Sequence, residues 1–247
     1  MLTDFSDDNL AKNYLKFSNS DEGQKQHDLL WHYIEPRLAG QSNLKILDAG
    51  CGTGWLANNL RPYAQSVKAF DSSSRLLEYG KEHSPQVNFL KTDLADKLPF
   101  ADQEFDLVVA SLVLHDLPKL PETFQEFRRI LKPQGKLLII ELNSYYAYPV
   151  GSWTRTIWQK LTRLKPKLTI SPYGDWKRRI DRKFAWGEGF NSYFYTLPEI
   201  INAAHESGWN LEFMEDLIAK SNSEKLDLHF RAYRFPIFIL LEFRKQN

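Results

Sequence analysis

The sequence predicts an α/β fold in which a largely parallel sheet is covered by helices on both faces. Predicted strands alternate with predicted helices between residues 44 and 142, which is the pattern of strand–helix–strand units and parallel sheets. The first strand, residues 44–47, leads directly into the turn D-A-G-C-G-T-G at residues 48–54, and a helix follows it. A glycine-rich turn between a buried strand and a helix predicts a Rossmann-like sheet that binds a ligand at that turn.

The remaining elements follow from apolar runs, helical periodicity and turn residues. The core strands are predicted at 44–48, 66–70, 87–91, 105–110 and 136–142. Helices are predicted at 7–18, 22–38, 53–62, 73–83, 119–131 and 197–208, and two last strands at 209–215 and 235–244. We therefore expect a single domain over residues 1–247, made of a helical cover (1–40), a cofactor-binding core (41–142), an insertion (143–195) and a closing helix with a β-hairpin (196–247).

The glycine spacing distinguishes this turn from a dinucleotide site. A dinucleotide site uses G-x-G-x-x-G to surround a pyrophosphate at a helix N-terminus. Here the spacing is G-x-G-x-G, and Asp48 lies two residues before the first glycine. A carboxylate at that position repels a pyrophosphate and suits a cationic group, such as the ammonium of an amino acid.

Five motifs in order resemble those of the class I S-adenosylmethionine-dependent methyltransferases, over roughly residues 40 to 142. They are the glycine turn, V-K-A-F-D at 67–71, N-F-L-K-T-D-L at 88–94, F-D-L-V-V-A-S at 105–111, and R-I-L-K-P-Q-G-K-L-L-I-I at 129–140. In the last motif Gln134 replaces the first glycine of the usual L-K-P-G-G turn. The resemblance implies S-adenosyl-L-methionine as the cofactor. It also implies a seven-stranded sheet of order 3-2-1-4-5-7-6, in which the last strand is antiparallel.

The resemblance assigns roles to individual residues. Asp71, 23 residues after Asp48, is expected to bind the ribose hydroxyls, and Asp93 is expected to read the adenine amino group. Tyr14, on a helix that covers the open side of the cofactor, is expected near its methionine portion. The full expected cofactor-binding set is Tyr14, Asp48, Ala49, Gly50, Cys51, Gly52, Gly54, Asp71, Ser72, Asp93, Leu94 and Ser111.

Simpler structural roles remain open at three of these positions. Asp71 is also suited to cap the helix that follows it. Asp93 is also suited to a solvated loop, and Tyr14 to packing in the core. Cys51 is the only cysteine, so it forms no internal disulfide and no multi-thiolate zinc site. We interpret it as a small packing residue within the turn.

His115 is the candidate catalytic base. It follows the fourth strand in S-L-V-L-H-D-L at 111–117, on the rim where the family's methyl acceptor approaches the cofactor. An imidazole titrates near neutral pH and can accept the proton of a phenol or an amine. The alternative is that this histidine contacts the cofactor or packs in the loop.

The insertion is rich in aromatic and cationic residues. Residues 151–190 contain ten Lys and Arg against three acids, a local charge of +7. We interpret 143–195 as a lid beside the methyl group, suited to an aromatic or anionic acceptor. Three other interpretations remain open, and the simplest is a core stripe with a solvated face. The second is a membrane-surface helix with Trp153, Ile157, Leu161 and Leu164 on its apolar face. The third is nucleic-acid binding at 176–183, which is disfavoured by an overall pI near 7.8.

Composition and charge narrow the class of protein. A chain of 247 residues with 43% hydrophobic residues and a net charge of +1 is typical of a globular protein. The acidic start is unlike a signal peptide, and no apolar run reaches the length of about 20 residues that spans a bilayer. We therefore expect a cytoplasmic protein without a metal. It is expected to methylate O or N of a small aromatic or anionic molecule, with no particular oligomeric state indicated. The alternatives are a lipid or quinone methyltransferase at a membrane surface and a catalytically silent cofactor-binding module.

Overall fold

The computed structural model describes residues 8–146, 151–154, 167–170, 179–184, 187–220 and 228–246. The α-helices are α1 (Asp8–Ser18), α2 (Asp21–Ile34), α3 (Trp55–Leu60), α4 (Ser74–His83), α5 (Leu120–Ile130), α6 (Leu197–Glu206) and α7 (Leu228–Arg234). The strands are β1 (Leu44–Ala49), β2 (Ala64–Asp71), β3 (Asn88–Lys91), β4 (Phe105–Ser111), β5 (Leu131–Leu142), β6 (Gly151–Thr154), β7 (Lys167–Ile170), β8 (Arg179–Phe184), β9 (Gly187–Tyr193), β10 (Trp209–Leu217) and β11 (Phe238–Lys245). Short 3₁₀ helices cover Glu35–Leu38, Arg61–Tyr63 and Leu114–Asp116.

Seven of these strands form the main sheet, in the order β10-β11-β5-β4-β1-β2-β3. Strands β1 to β5 pair in parallel, whereas β11 is antiparallel to both β5 and β10. When the four strands of the insertion are set aside, this order is 3-2-1-4-5-7-6 with an antiparallel last strand, so the predicted fold class is confirmed. The carboxyl ends of β1, β2, β3 and β4 meet at one edge, where ligands of such sheets bind.

The core lies on both faces of this sheet because side chains alternate along each strand. In β1, Ile46 packs into the core beneath α2 and α3, and the adjacent Leu47 packs into the core beneath α5 and α6. The strands β1, β4 and β5 are consequently almost continuous apolar runs, as expected for strands buried on two sides.

Capping side chains fix where several helices begin. The hydroxyl of Ser73 accepts a hydrogen bond from the Leu76 N–H and starts α4 directly after β2. Thr196 and Glu199 form a reciprocal capping box at the start of α6. Such caps satisfy backbone N–H groups that the first helical turn leaves unpaired.

Two strand starts differ by three or more residues from the sequence-based expectation. β5 begins at Leu131 rather than at 136, because the segment after it pairs with β4 through an irregular register. β11 begins at Phe238 rather than at 235, because Pro236 has no N–H to donate to a ladder. The connection between β10 and β11 also contains α7, so it is longer than a simple hairpin.

The described parts of the insertion are strands. β6 pairs with β7, and β8 with β9, each pair antiparallel. Trp153 lies in β6 opposite Leu168, so the alternative interpretation of an amphipathic helix is wrong at that residue. Residues 157, 161 and 164 of that expected helix, and 176–178 of the cationic stretch, lie outside the described residues. β9 passes beside α1 and beside the Leu114–Asp116 turn.

Within the described part of the chain, no helix combines the length and apolarity needed to cross a membrane.

Candidate active site

The glycine turn after β1 is a tight left-handed bend that faces the end of β4. Gly50, Gly52 and Gly54 have φ values of 73°, 52° and 78°, a region that residues with a Cβ rarely adopt. A Cβ on Gly50 would lie 2.5 Å from Cγ2 of Val113, which follows β4. The turn therefore packs tightly against the segment that follows β4. Its glycines present backbone atoms rather than side chains to a ligand.

Asp48 is a buried acid at the carboxyl end of β1, with 1% of its surface exposed. The N–H of Ala57 in α3 hydrogen bonds to its carboxylate, whereas the Oδ2 atom has no hydrogen-bond partner among the described residues. Burial raises the pKa of Asp48 to about 7, with a further contribution from the charge of Asp71. A buried carboxylate oxygen without a donor is costly, and a cationic ligand group would satisfy it.

Asp71 ends β2 and is fixed by the glycine turn. Its Oδ2 accepts a hydrogen bond from the Gly52 N–H at 2.8 Å, and its Oδ1 accepts one from the Ser73 N–H at 2.9 Å. Burial raises the pKa of this carboxyl, and the two N–H donors oppose the rise. The cap of α4 is Ser73 rather than Asp71, which leaves Asp71 directed at the turn. Ser72 lies half-buried between them.

The end of β3 lies next to Asp71, because the Thr92 N–H donates to the backbone carbonyl of Asp71 at 3.2 Å. Asp93 is exposed, and its Oδ1 accepts a hydrogen bond from the Ala95 N–H at 2.8 Å. Leu94 is buried and packs in the core of the sheet. The carboxylates of Asp71 and Asp93 thus follow neighbouring strands at one edge, as their positions in the sequence predict.

Tyr14 on α1 covers the glycine turn. A Cβ on Gly52 would lie 3.2 Å from the ring atom Cε1 of Tyr14 and 3.5 Å from its hydroxyl oxygen. Burial raises the pKa of this phenol, and the charges of Asp71 and Asp48 raise it further. Both acids are therefore near the tyrosine. Helix α1 therefore lies over the glycine turn.

The chain bends sharply after β4. Ser111, the last residue of the strand, is half-buried, and Leu112 adopts a left-handed φ of 57° while its N–H donates to the Ile140 carbonyl at 2.8 Å. This bend directs Val113 to the glycine turn and His115 to the end of β5. A non-glycine residue in this conformation is uncommon and is found preferentially at functional loops.

His115 pairs with a buried glutamate that the sequence pattern did not single out. The Nδ1 atom of His115 lies 2.7 Å from Oε1 of Glu141 at the end of β5, and the His115 N–H donates to Oε2 at 3.3 Å. Glu141 is only 3% exposed. The Nε2 atom of His115 lies 3.9 Å from Oδ2 of Asp116. The sequence does contain one sign of this residue's importance: Glu141 is an acid inside the apolar run L-L-I-I-E-L at 137–142.

Cys51 is buried within the turn, and burial together with Asp48 and Asp71 raises the pKa of its thiol well above the ordinary value. A thiol in this environment is a packing group rather than a nucleophile. Among the described residues, no group of three or more His, Cys, Asp or Glu side chains is placed to hold a metal ion.

A separate cavity opens at the opposite edge of the sheet, where β4 and β5 begin. Its lysines pair with neighbouring carboxylates: Lys132 with Asp106 and Lys136 with Glu242. These ion pairs neutralise much of its charge, and the cavity is remote from the glycine turn.

The expected cofactor-binding residues therefore converge at one edge, with Ala49 as the last residue of β1. The site combines an orphaned acid oxygen, a second carboxylate held at a glycine turn, and a covering tyrosine. This donor set is chemically suited to a nucleoside that carries a cationic amino-acid end.

Residues 47–139 match the protein family described as "Methyltransferase domain". The chain is 31% identical over 154 residues to a malonyl-[acyl-carrier protein] O-methyltransferase of Erwinia pyrifoliae, covering 61% of this chain and 57% of that protein. It is 34% identical over 128 residues to a demethylmenaquinone methyltransferase of Renibacterium salmoninarum, covering 50% of this chain and 51% of that protein. The chain thus spans little more than half the length of these relatives.

Solved structures agree on the fold. An S-adenosylmethionine-dependent methyltransferase from Mesorhizobium loti superposes with a TM-score of 0.69 at 23% identity, covering 88% of this chain and 98% of the other. A putative S-adenosylmethionine-dependent methyltransferase from Listeria monocytogenes superposes with a TM-score of 0.72 at 21% identity, covering 90% of this chain and 99% of the other. Residues 47–139 therefore match a methyltransferase domain, and the chain shares the fold of these S-adenosylmethionine-dependent methyltransferases.

Proposed function

We propose that this protein transfers a methyl group from S-adenosylmethionine to an oxygen or nitrogen atom of a small organic acceptor. The observation that carries the proposal is the placement of His115, which follows the bend of β4 that packs Val113 against the glycine turn. A candidate base and a candidate cofactor site thus share one edge of the sheet. When bound, the cofactor supplies an electrophilic methyl group attached to a sulfonium.

Each residue has a distinct task in this proposal. Asp48 pairs with the ammonium of the cofactor through its orphaned Oδ2 atom. Asp71, already oriented by two backbone donors, binds the ribose hydroxyls. Asp93 reads the adenine amino group, and Tyr14 excludes water from the methionine side. His115 accepts the proton that the acceptor loses. Alignment of two reactants in this way supplies much of the acceleration in a displacement reaction.

The acceptor class is the finer part of the proposal. The excess positive charge of residues 151–190 favours an aromatic or anionic molecule. A quinone-like acceptor is the second candidate, because one relative is a demethylmenaquinone methyltransferase. A membrane-surface site through an amphipathic helix has less support now that Trp153 lies in a strand.

Two measurements test the proposal. Calorimetry with S-adenosylhomocysteine should show binding that the Asp71→Ala variant weakens strongly. Methyl transfer should then be assayed on a panel of phenols, hydroquinones, amines and carboxylic acids, with and without anionic vesicles. Binding without turnover on the whole panel would favour a silent module, and loss of binding would refute the proposed cofactor site. Turnover that requires vesicles would favour the quinone or lipid alternative.

A further inference from the structure

Glu141 is a buried partner of His115. Its side chain is 4% exposed. Two backbone N–H groups donate to its carboxylate, His115 at 3.3 Å and Leu142 at 2.7 Å, and the ring atom Nδ1 of His115 lies 2.7 Å from it. Burying a carboxylate is expensive unless donors surround it, and several backbone donors favour its charged form.

An ionised Glu141 in this geometry would fix the tautomer of the imidazole. A carboxylate only accepts hydrogen bonds when ionised, so the nitrogen that faces Glu141 must carry the proton. The Nδ1 atom is then the donor, and the Nε2 atom of a neutral His115 carries the basic electron pair. A buried negative charge behind the ring also favours the imidazolium that forms when Nε2 takes a proton.

We propose that Glu141 is a positioning residue that holds His115 as a base through Nε2, and that the methyl acceptor is therefore a proton-bearing nucleophile such as a phenol, a hydroquinone or an amine. This inference rests on the proposed function. A carboxylic acid acceptor is already ionised near neutral pH, so it has no proton for such a base to remove. The pair is suited to acceptors that are protonated at neutral pH.

The step balances without any further reactant. The acceptor O–H or N–H gives its proton to Nε2 of His115. The electron pair released on the acceptor atom forms the new bond to the methyl carbon, while the carbon–sulfur bond breaks and its electron pair stays on sulfur. The imidazolium then returns its proton to water, and Glu141 remains ionised throughout.

Other titratable groups lie near His115, and the test must distinguish their effects on the ring from the effect of Glu141. Asp116 lies 3.9 Å from Nε2, on the same short 3₁₀ helix. Tyr14 of α1 lies near Asp116, whose charge acts on its phenol. β9 packs beside this turn and includes the titratable residue Tyr193. Asp116→Asn is the matched control, because it removes one carboxylate beside the ring and leaves the Nδ1 acceptor in place.

The direct test uses the full chain without cofactor or acceptor. Histidine labelled with ¹⁵N shows by NMR which ring nitrogen carries the proton and at which pH the ring titrates; a His115→Gln spectrum assigns the signal. We expect the Nδ1–H tautomer in the wild type. Glu141→Gln should keep the fold, because the amide oxygen can still accept from Nδ1, but should lower the titration midpoint by about one pH unit. Asp116→Asn should preserve the tautomer. An Nε2–H tautomer in the wild type, or an unchanged midpoint in Glu141→Gln, would overturn the role of Glu141.

Activity supplies the second readout, with the best acceptor of the panel. Glu141→Gln should reduce kcat roughly 10- to 100-fold at neutral pH, leave the KM for S-adenosylmethionine unchanged, and shift the pH profile in the same direction as the NMR midpoint. Exclusive methylation of carboxylic acids, at a rate unaffected by Glu141→Gln, would overturn the acceptor class. Failure of the proposed function itself has a different signature: no binding of S-adenosylhomocysteine, whatever the NMR shows.

Discussion

The buried acid that ends β1 should make cofactor binding depend on pH. Burial raises the pKa of Asp48 to about 7 in the unliganded protein, and an ammonium partner favours the ionised form. The affinity for S-adenosylhomocysteine should then follow the ionised fraction of Asp48, which is about nine-tenths at pH 8 and about one-tenth at pH 6. Binding should therefore weaken about tenfold between these two pH values, or about 1.4 kcal/mol.

Calorimetry at pH 6, 7 and 8, in buffers of different ionisation enthalpy, measures both the affinity and the proton that Asp48 releases on binding. Asp48→Asn should bind more weakly at pH 8 and lose the pH dependence, since an amide does not titrate. Asp93→Asn is the control: its carboxylate is exposed, and the variant should keep the wild-type pH dependence. The same slope in Asp48→Asn as in the wild type would refute the assignment, because another group would then be titrating.

Asp48→Asn should weaken ligand binding but stabilise the unliganded fold. Because the folded-state pKa of Asp48 lies above its ordinary value of 3.8, ionisation opposes folding. Stability that is present below about pH 4 is lost as the pH rises to about 7. Asp48→Asn avoids this loss, so the unliganded variant should be more stable at pH 8, with an upper limit of about 4 kcal/mol. Urea denaturation without ligand measures the difference, and a destabilised variant would contradict the reasoning.

Three further predictions follow from described contacts. Gly50→Ala should abolish cofactor binding and destabilise the fold, because the new Cβ meets Val113 at 2.5 Å; Gly40→Ala, also at positive φ but with open space around it, should cost only about 1 kcal/mol in thermal denaturation. Asp71→Asn should weaken S-adenosylhomocysteine binding by roughly tenfold or more in calorimetry, since the ionised acceptor is lost; unchanged affinity would contradict its role. Burial lowers the pKa of His27 to about 4, so stability should fall as the pH drops from about 6.5 to about 4, by up to about 3 kcal/mol. In urea denaturation measured at a series of pH values, His27→Gln should flatten the dependence of stability on pH in this range. An unaltered slope would argue against the role of His27.

The fold was predictable because local and tertiary signals agree along the core. The apolar runs of β1, β4 and β5 are long enough to identify buried strands, and the glycine turn fixes which edge of the sheet binds a ligand. The acids at positions 48 and 71 were predictable for the same reason: each ends a recognisable strand, and parallel strands bring such ends together.

Glu141 and the insertion were not predictable in the same way. An acid near the end of a buried strand has no local partner in the sequence; its partner, His115, lies 26 positions away and reaches it only through the left-handed bend at Leu112. In the insertion, aromatic and cationic residues fit a helical periodicity, but Trp153 pairs across strands. Periodicity over a short stretch does not distinguish a helix from a strand when pairing with another strand determines the structure.

The placement of Tyr14 also bears on how fast the protein can work. The ring lies directly on the glycine turn, and α1 is tethered there by a hydrogen bond from Tyr79 to Asn19 beyond its end and by an ion pair between Arg75 and Asp8. In the proposed binding mode, α1 must move before a nucleoside beneath Tyr14 leaves along this side. We therefore expect helix opening to limit the overall turnover frequency, and moderate salt, which weakens the exposed ion pair, to accelerate product escape.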